Sequence, residues 1–312
     1  MINVKIQTYT MYPPLHPYET TWFHVDTLKN GRKVNIYVEW SGNPQGIPVI
    51  YLHGGPGDQS TSYIRQLYDP VKYNIILCDQ RGCGNSTPKG HLEKNTTQDL
   101  LHDIEHIRIV KGYTSWVVSG GSWGSSLALL YAQAHPSRVL GLILRGVYDL
   151  SQKSCVDNLF PEQYHEINQL IQYRKGTNRF KRILHVLKTR KSKRLVSLLM
   201  MNDPMYVKAP PPQESSSYSS ALINAHYEAN HYFVSKRKIY CNMHKIKHIP
   251  TCMVNGRWDI VTPSSIAYTL SQCMDSCTLH IVDAGHTAKE KAIGNKLTEC
   301  SDLMCKKIAN KE

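Results

Sequence analysis

A serine flanked by glycines, Gly120-Gly121-Ser122-Trp123-Gly124, stands between the apolar run Trp116-Val117-Val118 and a helix-like stretch, Ser125-Ser126-Leu127-Ala128-Leu129-Leu130-Tyr131-Ala132. A hydroxyl is a weak nucleophile until a base takes its proton, and G-x-S-x-G at a strand-to-helix turn is a pattern that exposes one. The glycines matter because bulky neighbours of a strained turn would collide with the strand and helix it joins. The helix that follows points unpaired N–H groups toward negative charge developing there. Alone, the pattern fits a tight turn with an inert serine equally well.

Other stretches decide between these readings. His53-Gly54-Gly55-Pro56-Gly57 follows Pro48-Val49-Ile50-Tyr51-Leu52, and such a loop turns backbone N–H groups toward a tetrahedral intermediate. Gly55 and Trp123 are the natural pair of oxyanion donors. His53 precedes the donor on its loop and reads as structural. A triad also needs an orienting acid and a base, here in the order Ser, Asp, His. Asp259, in Asn255-Gly256-Arg257-Trp258-Asp259, ends the strand-like TCMV, and His286, in Asp283-Ala284-Gly285-His286, ends LHIV. Asp259 would fix the imidazole tautomer. His286 would take the proton of Ser122 and return it to the leaving group. Asp283, three residues from His286, reads as a turn or capping residue. Of the fourteen other histidines none ends a late strand in the required order. Asp79-Gln80-Arg81-Gly82-Cys83-Gly84 reads as a loop scaffold in which Asp79 and Arg81 pair or bond the backbone.

Those residues need a frame that gathers strand ends. VNIYVEW, PVIYL, YNIILC, SWVVSGG and VLGLILRG, separated by helix-length segments, predict a mostly parallel sheet flanked by helices. Residues 151–244 lose that rhythm: they are helical and basic, and APPPQESSSYSS marks a loop or joint. Strand signals return at TCMVNG and LHIVDAG. The expected fold is α/β, with core in 1–150 and 245–312 and a helical cap inserted over 151–244. The 312 residues carry 37 Lys and Arg against 24 Asp and Glu, a formal charge of +13. Much of that charge lies between Arg174 and Arg194, where interleaved Ile, Val and Leu predict an amphipathic helix with a solvated basic face. A weak anion or nucleic-acid surface is the rival reading, but it lacks an aromatic platform. No apolar stretch is long enough to span a membrane, and MINVKIQTYTMYPP has no export-signal pattern. Nine scattered cysteines then read as free thiols of a reducing cytoplasm. Cys273 and Cys277 have a metal-like spacing but no nearby partners, so neither metal nor cofactor is expected.

With these stretches in hand, the chain resembles the proline iminopeptidases, serine peptidases of the α/β-hydrolase fold that remove an N-terminal proline. The likeness rests on YPPLHPYET, EWSGNPQGIPVIYLHGGPG, LCDQRGCGNSTP, GGSWGSSLALLYAQAHP and LILRG, and resumes through HYFV, GRWDIVTP and LHIVDAGH. It implies Ser122, Asp259 and His286 as triad, Gly55 and Trp123 as oxyanion donors, short peptides with N-terminal proline as substrates, and no cofactor. It also puts Arg145 and Tyr148, in LRGVY, beside the substrate. Glu228 stands where the family's E-N-H-Y-F motif has its glutamate, which would receive the cationic imino group. The chain departs from the family in the cap. Ala229 is inserted after Glu228, and on a helix one extra residue rotates its successors by about 100°. The family's W-x-x-W-E helix has no counterpart, and the segment after Tyr148 is short. Asp203 or Glu214 could replace the missing charge, or both could be loop residues in solvent. An esterase or amidase with a remodelled cap is the first alternative, and a catalytically idle binding protein the second.

Overall fold

The runs rich in Val, Ile and Tyr form strands in the computed structural model, which describes residues 10–150, 160–200, 218–235 and 237–310. The strands are β1 (Glu19–Thr27), β2 (Lys33–Gly42), β3 (Ile47–Leu52), β4 (Tyr73–Cys78), β5 (Trp116–Gly121), β6 (Val139–Arg145), β7 (Thr251–Gly256) and β8 (Cys277–Val282). They make one sheet in the order β1-β2-β4-β3-β5-β6-β7-β8. The β1–β2 and β2–β4 pairs are antiparallel and the rest parallel. Parallel strands covered on both faces read as continuous apolar runs rather than alternating ones. Every residue of β4 and of β5 is accordingly buried.

Two apolar layers sandwich the sheet. One packs helix α1 (Thr97–Val110), α2 (Trp123–Ala134) and α7 (Ser264–Ser271) against Ile50, Val118 and Leu142. The other packs α8 (Lys291–Ala309) against Val49, Ile75, Val117 and Val254. α1 begins sharply because Thr96 and Asp99 cap it reciprocally, each side chain accepting the other's backbone N–H. The parallel strands all point their C-terminal ends the same way, and those ends are where such sheets collect ligands.

Between β6 and β7 the described residues form helices: α3 (Pro161–Leu170), α4 (Arg179–Arg190), α5 (Lys193–Leu199) and α6 (Tyr218–Ala229). They share a separate apolar cluster that includes Ile171, Leu187, Leu195 and Ala225. α6 belongs to both regions, for Ala221, Leu222 and Ala225 face that cluster while Ile223 and Tyr227 join the sheet's core. The basic stretch lies on these helices. Arg179 stacks 4.4 Å from the Tyr164 ring centre, Arg182 donates to the Ile171 carbonyl, and Arg194 pairs with Glu166. Its aliphatic residues Ile183, Val186 and Leu187 point inward.

Asp203, Glu214, Cys155 and the stretch after Leu150 lie outside the described residues. The expectation of free thiols throughout fails at one pair: Cys252 and Cys300 form a disulfide, their Cα atoms 6.1 Å apart. Forty-eight residues separate them, and only the packing of α8 on β7 brings them together. Cys78, Cys83, Cys241, Cys273, Cys277 and Cys305 remain free thiols. No described helix is long and apolar enough to cross a membrane.

Candidate active site

β5 runs into α2 through Ser122, which holds φ 56° and ψ −128°, outside the regions ordinary residues occupy. Such a conformation costs about 1–3 kcal/mol and persists only where the surroundings impose it. They do so here. A Cβ on Gly124 would lie 2.0 Å from the Leu52 carbonyl oxygen, and one on Gly120 would lie 2.2 Å from that of Gly124. The Ser122 N–H donates to the Arg145 carbonyl on β6 at 2.9 Å. Ser122 itself stays half-buried, with its Oγ near Gly54.

Asp259 and His286, 27 residues apart, meet where β7 and β8 end. The His286 Nδ1–H donates to Asp259 Oδ2 at 2.8 Å, which leaves Nε2 as the lone-pair nitrogen. The other Asp259 oxygen accepts the backbone N–H groups of Val261 and Thr262 at 3.0 and 2.8 Å. Thr262 donates its hydroxyl to Oδ2 at 2.8 Å. Burial pushes the Asp259 carboxyl up, but the charge and hydrogen bond of His286 and the two bonds from Thr262 outweigh it and hold the group below the usual carboxylate range. The His286 ring packs over Gly146, where a Cβ would come within 2.9 Å of Cε1. Asp283 is not part of this arrangement, since its carboxylate accepts from the exposed Trp258 indole. Thr262 escaped the sequence reading. A hydroxyl three residues after an aspartate at a helix start is the signal that could have found it.

Gln80 is the second residue missed. Its backbone N–H donates to His53 Nε2 at 2.9 Å, its side-chain amide donates to the His53 carbonyl at 2.8 Å, and its Oε1 accepts the Trp123 indole at 3.0 Å. One buried amide therefore ties the Gly55 loop to the residue after Ser122. The Trp123 N–H is the first of α2 and has no partner within the helix. Gly55, at φ +106°, reverses the loop beside it. Asp79 bonds the backbone N–H groups of Ser60 and Asn85, as expected of a scaffold. Arg81 pairs with Asp103 and Asp26 rather than with Asp79.

Glu228, in the last turn of α6, lies beside a tyrosine that packs on Trp123. Tyr232 donates its hydroxyl to Glu228 Oε1, lies stacked on Trp123 at 5.4 Å between ring centres, and stands edge-on to Tyr148 at 5.9 Å. Burial first, and then the Glu228 charge, raises both phenols, Tyr148 to about 12, so they remain protonated donors beside the carboxylate. The rotation expected from Ala229 does not occur. α6 stops at Ala229, and His231, Tyr232 and Phe233 follow at φ 51°, 55° and 55°, a left-handed turn in which the Tyr232 and Phe233 carbonyls accept from Thr97 and Gln98. Arg145 lies elsewhere than its sequence neighbour Tyr148. Its guanidinium packs against Gly121 and donates to the His286 carbonyl at 2.8 Å, on the sheet face that also carries Ile143.

The sequence and the fold have known counterparts. A family described as the alpha/beta hydrolase fold matches residues 47–292. A proline iminopeptidase of Neisseria meningitidis serogroup B is 37% identical over 302 residues, covering 89% of this chain and 94% of its own. One from Arabidopsis thaliana is 36% identical, over 95% of this chain and 82% of its own. Among solved structures, an esterase from Exiguobacterium antarcticum superposes with a TM-score of 0.65 at 22% identity, over 92% of this chain and 99% of its own. A haloalkane dehalogenase from Bradyrhizobium elkani matches with a TM-score of 0.65 at 16% identity, over 94% of this chain and 100% of its own.

Proposed function

The chain belongs to the proline iminopeptidase family of the α/β-hydrolase fold, and we propose that it releases N-terminal proline from short peptides with Ser122 as nucleophile, His286 as base and Asp259 as orienting acid. The observation that carries the reading is the His286–Asp259 bond at the ends of β7 and β8, which leaves Nε2 as the ring's proton acceptor.

His286 Nε2 takes the Ser122 proton as Oγ bonds to the prolyl carbonyl carbon. The carbonyl π electrons move onto oxygen, where the N–H groups of Gly55 and Trp123 meet them. As the carbon–nitrogen bond breaks, His286 gives its proton to the departing amine, leaving a prolyl ester on Ser122. Water then repeats the sequence against that ester. The Asp259 carboxylate stabilises the imidazolium formed in each half-reaction. Arg145, bonded to the His286 carbonyl, positions the base without touching substrate.

Glu228 receives the secondary ammonium of the substrate, and Tyr148 and Tyr232 supply the walls that fit a pyrrolidine ring, with the buried Trp123 backing Tyr232. In this reading the described helices between β6 and β7 serve as the cap over that pocket.

A panel of aminoacyl-β-naphthylamides run beside p-nitrophenyl acetate tests selectivity, with Glu228→Gln as the diagnostic variant. Prolyl turnover should fall about 10- to 100-fold, the worth of a hydrogen bond to a charged group, while ester turnover holds. Equal losses on both would assign Glu228 to the fold, and a wild type active on the ester but silent on the prolyl substrate would return the chain to the general esterases.

A further inference from the structure

One group of ligating side chains plays no part in the chemistry above. Cys252 on β7, His280 on β8 and Cys300 on α8 bring two sulfurs and an imidazole nitrogen within 4.8 Å of one another. Strand register explains the convergence. Cys252 pairs with Thr278 and Val254 with His280, so the alternation of side chains sends Cys252 and His280 out of the same sheet face, the one α8 covers. His280 Nε2 is buried and has no hydrogen-bond partner among the described residues, a costly state for a polar ring nitrogen.

We propose that, once the Cys252–Cys300 disulfide is reduced, Cys252, Cys300 and His280 bind one zinc ion. A thiol reductant supplies the two electrons and the two protons that split the disulfide as it is itself oxidised to a disulfide; a phosphine supplies the electrons and becomes its oxide, with water giving the oxygen and the two protons. On binding, each thiol gives up its proton to solvent and His280 offers the neutral Nε2 lone pair. Two thiolates balance the dication, so no net charge enters the apolar layer. Tetrahedral bonds of about 2.3 Å need sulfurs about 3.8 Å apart. A Cα separation of 6.1 Å, just above the commonest disulfide values, leaves the sulfurs room to part by side-chain rotation. Two sulfurs with an imidazole select zinc or copper(I) over hard cations such as magnesium. β8 ends the sheet and His280 is half-exposed, which gives the ion a way in from the open edge.

The site would join α8 to the two strands whose following loops carry Asp259 and His286. Glu290, just before α8, already accepts the Gly285 N–H beside His286. Zinc would then brace in reducing conditions what the disulfide braces in oxidising ones.

The test uses the full-length chain, reduced anaerobically, freed of reductant and titrated with Co(II) as the probe, then with Zn(II). One cobalt per chain should bind with thiolate charge-transfer absorption, and zinc should displace it and raise the Tm of the reduced protein but not of the oxidised one. Cys252→Ser should abolish the absorption. His280→Gln keeps both sulfurs, and so the disulfide as a check on folding, yet should weaken cobalt binding at least about 10-fold. Absorption that survives in Cys252→Ser would put the metal on Cys273 and Cys277 and overturn the proposal. So would undiminished binding by His280→Gln, no uptake at all, or a disulfide that resists reduction in the folded chain.

Discussion

Around Ser122, Asp259 and His286 the polar atoms are fixed by backbone partners and buried side chains, whereas the helices from Pro161 to Ala229 rest on an apolar cluster of their own and meet the sheet through α6 and the turn after it. The first region holds reacting groups to a geometry. The second holds a surface of Glu228 and tyrosines against Trp123. The two halves of an enzyme's task, breaking a bond and choosing which bond, thus rest here on separate cores. Damage to the first should lower every activity alike, and damage to the second should change only the preference.

The largest effect belongs to the nucleophile. Ser122→Ala should lower kcat by about a million-fold on prolyl and ester substrates together, the loss seen when one member of a triad acting as a unit is removed; a small loss would sink the assignment. Asp259→Asn should cost about 10⁴-fold on both substrates while the chain stays folded, because an amide can stabilise the wrong imidazole tautomer. The same variant has a stability signature. A carboxylate held below its usual range contributes stability that is present above the unfolded pKa of about 3.9 and is lost as pH falls through the lower folded value. In denaturant titrations the gap between Asp259→Asn and the wild type should be full at pH 7 and close only on the acid side of about pH 3.9.

Gln80→Met leaves the reacting groups in place but frees the Gly55 loop from Trp123. A loss of about 100-fold in kcat with KM little changed, equal on ester and amide, would mark Gln80 as a residue that positions the oxyanion donors. A purely structural role would instead show as a lower Tm with kcat intact. The smallest effect is expected in the second region. Tyr232→Phe removes one hydrogen bond to Glu228 and should cost about 5-fold on prolyl substrates with none on the ester. A loss shared by the ester would break the separation drawn between the regions.

Much of the first region was legible in the sequence because it is written in local patterns. VNIYVEW, PVIYL, YNIILC, SWVVSGG, TCMVNG and LHIV each became a strand, and the candidate acid and base each follow one. β1 was not anticipated. Its residues Glu19–Thr27 form an edge strand, exposed along much of its length and without the apolar density of β4 or β5. Gln80 and the Cys252–Cys300 pair were invisible for a different reason: their partners come from other strands and helices, at separations no local pattern records. Arg145 was readable in principle. Alternation along β6 puts it on the face of Ile143 and opposite Leu144, away from the α2 side. The motif drew attention to its neighbour Tyr148, beyond the strand's end, where alternation no longer applies. The extra Ala229 misled through a sound rule applied past its range, since a helix turns about 100° per residue only while it remains a helix.

The left-handed turn at His231–Phe233 bears on how such a protein diversifies. A helix that ran on into the pocket wall would transmit every insertion as a rotation of Tyr232, and each change of length would need repair elsewhere. Three residues outside the helical region absorb the change instead, while Thr97 and Gln98 moor the Tyr232 and Phe233 carbonyls to α1. The wall's place is thereby set from the sheet side. A change in the helices above need not move that floor, and a designer seeking a new preference can graft at the same joint.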